Sequence, residues 1–218
     1  MLANLFRKLI TLTQSDGLPV VRLGERVWHV TPSGMELFGG TGPDIDLWIA
    51  NGLAVLVKTN PARTVYRVDL PGGTVFIKHC KITGLRSWAR EVIRLPKARL
   101  EFENSLALRE RNIPAVEPLA WGHLNSYRPG ESFLITRGHT ADFPFLHYLE
   151  KILPTLSPEE RQAICRRIAC ELGVFLARLH DEGVTHPDPH PGNLLFELPP
   201  GGVPRFALID LHAIQIGK

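Results

Sequence analysis

The chain has few cysteines, no long apolar run and no large excess of one charge. Its three cysteines (Cys80, Cys165 and Cys170) are an odd number without a CxxC spacing, which argues against a disulfide framework or a zinc ribbon and fits small core residues in a reducing cytoplasm. No apolar run approaches the roughly 18 residues that a membrane-spanning helix needs. The 25 Lys and Arg against 22 Asp and Glu leave a net charge of only +3, too weak a field to indicate a nucleic-acid partner. With 218 residues and 44% hydrophobic content, we expect a folded cytoplasmic protein that binds no nucleic acid.

The amino terminus has an amphipathic pattern. Arg7 and Lys8 lie within its apolar stretch rather than ahead of it, which argues against a secretory signal. Five apolar side chains share one helical face: Leu2, Leu5, Phe6, Leu9 and Ile10. We favour a short helix packed on its own domain, because the pattern is so short, and a helix resting on a membrane surface is the alternative.

Residues 53–138 predict a small antiparallel sheet with one inserted helix. Residues 1–52 are broken by Gly and Pro and predict an N-terminal extension with irregular strands. Five β-rich runs follow, of which the second and third are joined by Pro71-Gly72-Gly73. A charged helical pattern fills residues 86–111, between the third and fourth runs. The runs are Leu53–Lys58, Val65–Leu70, Thr74–His79, Val116–Trp121 and Ser132–Thr136.

Residues 139–218 predict a mainly helical second lobe. Ser157 suits the N-cap of a helix, Pro158 its first position and Glu160 the last member of a capping box. The helix runs to His180, and Gly183 suits the left-handed residue that ends it. Its apolar face comprises Ile164, Ile168, Leu172, Phe175, Leu176 and Leu179.

A polar loop and a short hairpin follow this helix. Residues 186–193 read HPDPHPGN, and Asp210 ends the second of the two apolar segments that come next. Phosphoryl transfer needs a carboxylate beside the acceptor hydroxyl and oxygen ligands for Mg²⁺ on the phosphates. Asp188 offers the carboxylate, and Asn193 with Asp210 offers the ligands. A loop can turn the first two towards one point and a hairpin can return Asp210 to them, so the spacing supports this division of roles and predicts that the three oxygens converge.

The order of these residues resembles the protein-kinase superfamily. Its catalytic loop reads H-x-D-x-x-x-x-N and its metal-binding Asp follows an apolar strand, which His186, Asp188, Asn193 and Asp210 match. The resemblance implies a bilobal α+β fold, with a five-stranded antiparallel N-lobe sheet plus helix over residues 53–138 and a shortened, mainly helical C-lobe. It also implies Asp188 as catalytic base, and Asn193 with Asp210 as ligands of Mg²⁺.

The upstream half carries the other kinase residues. Val75-Phe76-Ile77-Lys78 resembles the V-A-I-K strand, which implies that Lys78 orients the α- and β-phosphates of ATP. Glu101 on the following helix is its best-placed ion-pair partner, and Glu103 is the competing choice.

Within the superfamily the chain is similar to the lipopolysaccharide kinases that phosphorylate Kdo or heptose of the inner core. The similar segments are Tyr66-Arg67-Val68, Ile113-Pro114 and Ile209-Asp210-Leu211-His212, and the likeness covers roughly residues 53–218. It implies ATP and a glycolipid or other hydroxyl-bearing acceptor as partners, with peripheral contact with the cytoplasmic face of the inner membrane as an option. The HPDPHPGN loop also resembles ubiquinone-biosynthesis atypical kinases and antibiotic phosphotransferases, so the loop alone indicates only the superfamily.

A basic run lies along the predicted N-lobe helix. It is most simply a solvated face, and the alternative is contact with the phosphates of an anionic glycolipid. The run comprises Arg86, Arg90, Arg94, Lys97 and Arg99.

Three departures from the kinase pattern keep a second function open. Residues 58–64, where a glycine-rich phosphate cover is expected, have no glycine, so Arg63 or backbone donors would have to replace it. His212 stands where D-F-G has its glycine, and the sequence ends eight residues after Asp210. These features favour, as the alternative, a pseudokinase-like module that binds nucleotide without turnover.

A zinc hydrolase is the third hypothesis. His180, His186, Asp188 and His190 are residue types that bind Zn²⁺. This hypothesis leaves the prolines of the loop and Lys78 without a role, so we rank it last.

Overall fold

The computed structural model describes residues 13–15, 17–84, 88, 95–124, 130–138 and 144–217. The described residues form two compact units. One lies within Met1–Phe102 and Glu117–Gly138, and the other within Glu103–Val116 and His139–Lys218. The amphipathic pattern at residues 2–10 lies outside the described residues.

The first unit is built on an antiparallel sheet. Among the described residues it has eight strands, in the order β1-β2-β3-β7-β8-β6-β5-β4. The strands are β1 (Thr13–Ser15), β2 (Leu18–Leu23), β3 (Arg26–Val30), β4 (Ala54–Asn60), β5 (Arg63–Leu70), β6 (Gly73–Cys80), β7 (Pro118–Leu124) and β8 (Ser132–Arg137). Among the described residues, the unit also contains two short helices, α1 (Pro32–Leu37) and α2 (Ile45–Ala50), and the first part of α3 (Lys97–Glu110).

Alternation along the central strands explains where the core of this unit sits. Val75 and Ile77 on β6 and Val68 on β5 are fully buried, as the period of two in an extended chain requires. The β5–β6 turn pairs Leu70 with Gly73, and Gly73 takes φ +131°, which only glycine adopts readily. The predicted hairpin therefore forms at Pro71-Gly72.

The sheet is larger than the five predicted strands because the first 30 residues extend it. β3 pairs with β7 in antiparallel register, and Trp28 lies opposite Gly122. Trp28 is only 1% exposed, and a Cβ at position 122 would lie 2.4 Å from its ring. The glycine makes room for the indole, a pairing across about ninety residues that no local pattern announces.

Within residues 1–52 the structure has the strands β1, β2 and β3 and also two helices, which the sequence analysis did not predict. After β3, Thr31 caps α1 by accepting the N–H of Gly34 at 3.1 Å. Asp44 caps α2 by accepting the N–H of Leu47 at 3.2 Å. Both are ordinary N-cap residue types, so the signals for these two helices are present in the sequence.

Among the described residues, the second unit contains one long helix and two two-stranded antiparallel pairings. Its elements are the end of α3, α4 (Phe145–His147), a π turn (Tyr148–Ile152), a 3₁₀ turn (Leu153–Thr155), α5 (Pro158–Asp181), β9 (Val184–Thr185), a 3₁₀ turn (Pro191–Asn193), β10 (Leu194–Glu197), β11 (Arg205–Leu208), a 3₁₀ turn (Leu211–Ala213) and β12 (Gln215–Ile216). β10 pairs with β11 and β9 with β12, both antiparallel.

Helix α5 begins and ends where the sequence predicts. Ser157 and Glu160 form the full capping box, and Gly183 takes φ +67° after the last turn. The apolar face is buried at Ile164, Ile168, Phe175 and Leu179.

Three further expectations about this helix are wrong. Leu176 is 37% exposed, because it lies at the margin of the apolar face. Cys165 and Cys170 are exposed rather than core residues. Each follows a buried isoleucine by one or two positions, and such positions turn away from the buried stripe on a helix.

Candidate active site

Lys78 and Glu101 form an ion pair within the first unit. Lys78 lies on β6 and its Nζ contacts Oε1 of Glu101 on α3. The two side chains are 14% and 4% exposed. Glu103, the competing partner, is exposed on the same helix. A charged pair with this little solvent is maintained only when both partners are present, because each charge alone would be costly to bury.

The local structure explains why both side chains reach this position. Lys78 follows the fully buried Ile77, so it projects from the other face of the sheet. On α3, Ala98 and Phe102 are 1% exposed and Ser105 is fully buried, which turns this side of the helix inward. Glu101 lies on that inward side and is 3% exposed.

Histidine side chains hold the backbone of the HPDPHPGN loop in the second unit. The Nδ1 atom of His186 accepts the N–H of Asp188 at 3.1 Å. The Nδ1 atom of His190 accepts the N–H of Gly192 at 2.9 Å. The amide Nδ2 of Asn193 donates to the carbonyl of Asp188 at 3.0 Å. Asp188 itself is exposed, so the loop presents its carboxylate to solvent.

The environment of His186 favours its neutral form. Burial lowers the pKa of His186 from its usual 6.5, and the charges of Asp188 and Asp210 oppose this effect. Because its Nδ1 accepts a hydrogen bond, the neutral ring carries its proton on Nε2. His186 therefore holds the loop backbone as a hydrogen-bond acceptor.

The β10–β11 hairpin returns the chain to the loop. Leu194 pairs with Leu208, and just beyond this pair the N–H of Ile209 donates to the carbonyl of Asn193 at 2.9 Å. Asp210 follows directly and takes a left-handed conformation with φ +61°. The backbone positions of Asn193 and Asp210 are therefore held side by side within the second unit.

Two residues that the sequence analysis did not assign support Asp210. His212 Nδ1 lies 3.0 Å from Oδ1 of Asp210. Asn104, on the part of α3 that belongs to this unit, donates from Nδ2 to the carbonyl of Leu211 at 2.7 Å. His212 stands where glycine is expected, so its polar side chain was a sequence signal for a contact with Asp210. The sequence contains no comparable signal for the contact of Asn104.

Two side chains of the second unit, those of Asn193 and Asp210, offer oxygen ligands that suit a hard divalent cation. Asn193 uses its amide nitrogen on the Asp188 carbonyl, which leaves the amide oxygen as its possible ligand. Asp210 adds a carboxylate, and Mg²⁺ prefers such oxygen ligands.

The predicted zinc cluster does not form in the described part of the chain. His180, His186, Asp188 and His190 do not supply three ligand atoms close enough to hold one ion. The Nδ1 lone pairs of two of these histidines accept backbone N–H groups instead.

The β4–β5 turn contains no glycine and is closed by the side chain of Asn60. Oδ1 of Asn60 accepts the N–H of Ala62 at 2.9 Å and that of Arg63 at 2.7 Å. These two backbone donors are therefore already used, so they cannot replace the donors of a glycine-rich phosphate cover.

The predicted basic run is described only in part. Arg99 lies over the ring of Trp121, with its Cζ 5.6 Å from the ring centroid. Arg86, Arg90 and Arg94 lie outside the described residues.

Comparison with known proteins identifies the relatives of this arrangement. Residues 77–216 match the model of the lipopolysaccharide kinase (Kdo/WaaP) family. Comparison with curated protein sequences gives no match. In the part of the chain that the structure describes, no helix combines the length and the apolar character needed to cross a bilayer.

Two solved structures share the fold. WaaP in complex with acyl carrier protein matches with a TM-score of 0.55 and 19% identity, over 87% of this chain and 73% of WaaP. The BubR1 kinase domain matches with a TM-score of 0.53 and 14% identity, over 89% of this chain and 49% of that domain. The predicted α+β, protein-kinase-like fold is confirmed.

Proposed function

Because the chain belongs to the lipopolysaccharide kinase (Kdo/WaaP) family and is a kinase, we propose that it transfers the γ-phosphate of ATP to a hydroxyl of a lipopolysaccharide core sugar, Kdo or heptose. The observation that best supports this proposal is the Lys78–Glu101 ion pair. A lysine on the third strand of a kinase sheet, paired with a helix glutamate, is the arrangement that phosphoryl transfer requires.

The residues take the following roles in the proposed reaction. The acceptor oxygen forms a bond to the γ-phosphorus, the bond to the β–γ bridging oxygen breaks, and ADP leaves. Asp188 accepts the proton of the acceptor hydroxyl. His186 positions Asp188, because its ring accepts the N–H of that residue. Lys78 orients the α- and β-phosphates, and Glu101 holds the ammonium in place.

Asn193 and Asp210 would hold Mg²⁺, which supplies charge neutralisation on the phosphates when bound. The chain's own contribution is to fix the two ligands. The hydrogen bond from Ile209 to the Asn193 carbonyl fixes the backbone of the pair. The hydrogen bond between His212 and Asp210 orients one carboxylate oxygen.

The roles are tested by an Asp188→Ala variant. Incubation with labelled ATP and an envelope lipid extract, followed by mass analysis, identifies what gained a phosphate. We expect the Asp188→Ala variant to lose transfer by at least about a hundredfold while its thermal unfolding is unchanged. Asp181→Ala removes an exposed carboxylate at the end of α5 and is expected to keep full activity. Undiminished transfer by Asp188→Ala would refute the assignment.

The location follows from the acceptor. A glycolipid acceptor places the reaction at the cytoplasmic face of the inner membrane, so we propose peripheral contact with that surface. Sedimentation of the chain with anionic lipid vesicles tests this part, and absence of co-sedimentation at low salt would contradict it.

A further inference from the structure

The second histidine of the HPDPHPGN loop, His190, is not used by the proposed reaction. It is exposed, yet its ring is tied to the backbone, because Nδ1 accepts the N–H of Gly192 at 2.9 Å. Since Nδ1 accepts a hydrogen bond, the proton of the neutral ring is on Nε2. The bond therefore fixes both the position and the tautomer of a side chain that solvent surrounds.

His190 closes the turn that carries Asn193. It is the N-cap of the 3₁₀ turn Pro191–Asn193, and its carbonyl accepts the N–H of Asn193 at 2.8 Å. Its own N–H donates to the carbonyl of Asp188 at 2.8 Å. The same carbonyl accepts Nδ2 of Asn193 at 3.0 Å. The backbone and the side chain of Asn193 are thus both tied to His190 or to a carbonyl that His190 also bonds.

These bonds determine which end of the Asn193 amide is available to a cation. Nδ2 is used on the carbonyl of Asp188, so Oδ1 is the atom that can act as a ligand. If the turn opened, the amide could rotate about its side-chain bonds and lose this orientation. Groups that orient a metal ligand without touching the ion typically change metal affinity by about 10- to 100-fold when they are removed.

Gly192 allows the ring of His190 to lie against the turn. A Cβ at position 192 would lie 2.8 Å from Nδ1 and 3.2 Å from Cε1 of that ring. Both contacts are closer than van der Waals distance, so the ring would have to turn away and give up its hydrogen bond. The φ angle of Gly192 is not positive, so its backbone would accept an alanine. The ring, rather than the backbone, therefore accounts for a glycine at this position.

We propose that His190 is a positioning residue for the metal, whose ring holds the turn that presents the amide oxygen of Asn193 to Mg²⁺. The part of this inference that concerns Mg²⁺ rests on the proposed function. The closed turn and the tautomer of the ring do not.

The inference is tested by calorimetric titration of the full chain with ATP, once with excess Mg²⁺ and once with a chelator. The ratio of the two affinities measures how much the metal strengthens ATP binding. We expect His190→Ala to reduce this ratio by roughly tenfold or more and to leave the affinity measured with the chelator unchanged. His190→Asn keeps an acceptor for the N–H of Gly192, since asparagine is a good capping residue, and should keep the ratio. His180→Ala, at an exposed position of α5, is the matched control.

A second variant disturbs the same bond with His190 in place. We expect Gly192→Ala to reduce the ratio as His190→Ala does. Gly173→Ala, where a Cβ meets no atom within 4 Å, is its matched control on α5 and should leave the ratio unchanged.

Nitrogen-15 NMR of the His190 ring gives a readout that needs neither ATP nor metal. In the wild-type chain we expect the proton on Nε2 and a hydrogen-bonded lone pair on Nδ1. In Gly192→Ala the Nδ1 resonance should lose the shift that this hydrogen bond causes.

Three outcomes would overturn the inference. They are an undiminished ratio in His190→Ala, a loss in His190→Asn as large as that in His190→Ala, and a wild-type ring that carries its proton on Nδ1.

Transfer of labelled phosphate separates this inference from the proposed function. A wild-type chain whose ratio depends on His190 but that transfers no phosphate would contradict the proposed function alone. A chain that transfers phosphate with a ratio independent of His190 would contradict the inference alone. A wild-type chain in which Mg²⁺ does not strengthen ATP binding overturns the inference, and the proposed function falls with it if transfer is also absent.

Discussion

Lys78 is a charged residue on β6, a strand on which Val75 and Ile77 are fully buried. Its ammonium is stabilised by Glu101, and the structure leaves that carboxylate only 4% exposed. Removing one partner of such a pair strands the other charge with little solvent, whereas removing both leaves an apolar contact. Stability and catalysis can therefore be separated at this pair.

We expect Glu101→Gln to lower the free energy of unfolding by about 3 kcal/mol, measured by urea denaturation, and to abolish phosphate transfer. Glu103→Gln is the matched control on the exposed side of α3, with a change within about 0.5 kcal/mol. The double variant Lys78→Met/Glu101→Leu should recover most of the stability but no transfer. Equal stability of Glu101→Gln and Glu103→Gln would contradict the structural role of Glu101.

His186 makes the stability of the chain depend on pH. Because burial lowers its pKa below 6.5, the folded chain takes up this proton less readily than the unfolded chain. Below about pH 6.5 the unfolded state binds more protons, so the free energy of unfolding falls with falling pH until the pH passes the folded pKa. His79, whose pKa is also lowered by burial, acts in the same direction in the first unit.

We therefore expect His186→Asn to make the stability less dependent on pH between about 7.5 and 5.5, measured by urea denaturation at each pH. The slope is compared rather than the absolute stability, since the substitution also changes packing. His180→Asn, at an exposed position of α5, should leave the slope unchanged. A wild-type slope in the His186 variant would show that this ring does not titrate as inferred.

At the scale of elements, the HPDPHPGN loop follows the C-terminal end of α5, so the start of this helix affects stability far from that loop. Oγ of Ser157 accepts the N–H of Glu160 at 3.3 Å, and Oε2 of Glu160 accepts the N–H of Ser157 at 3.0 Å. Hydrogen bonds from the backbone N–H and from the side chain of Ser157 lower the pKa of the Glu160 carboxyl. The box satisfies two backbone donors that the helix itself cannot.

We expect Ser157→Ala to lower the free energy of unfolding by about 1 kcal/mol while leaving the KM for ATP unchanged. Ser157→Asp keeps an acceptor at the cap and should retain most of the stability. The check is urea denaturation of the three chains with transfer assays in parallel. A loss in Ser157→Asp as large as that in Ser157→Ala would show that the cap oxygen is not responsible.

At the scale of the whole molecule, the sequence predicted what depends on local order. The hairpin between residues 70 and 73, the start of α5 and the return of Asp210 beside Asn193 all follow from motifs within about twenty residues. The likeness to a kinase supplied the rest of the fold class.

The features that were missed depend on distant or unusual partners. The pairing of β3 with β7 needs Gly122 to accommodate the ring of Trp28. Asn60 closes the β4–β5 turn, where the kinase resemblance implied glycines.

Ligand binding by the whole chain tests the division of roles between its parts. A ligand that binds only the folded state at about a hundred times its Kd adds about 2.7 kcal/mol, which for a chain of this size raises Tm by roughly 5–10 °C. We expect ATP with Mg²⁺ to produce such a shift, Lys78→Met to lose it, and Asp210→Asn to retain only the part that ATP produces without the metal. Asp46→Asn, in the first unit, is the control, and we expect it to show the full shift.

A full Mg²⁺-dependent shift in Asp210→Asn would contradict the assignment of that carboxylate as a metal ligand, because the variant lacks its negative charge. A full shift in the wild-type chain without any transfer would instead favour the module that binds nucleotide without turnover.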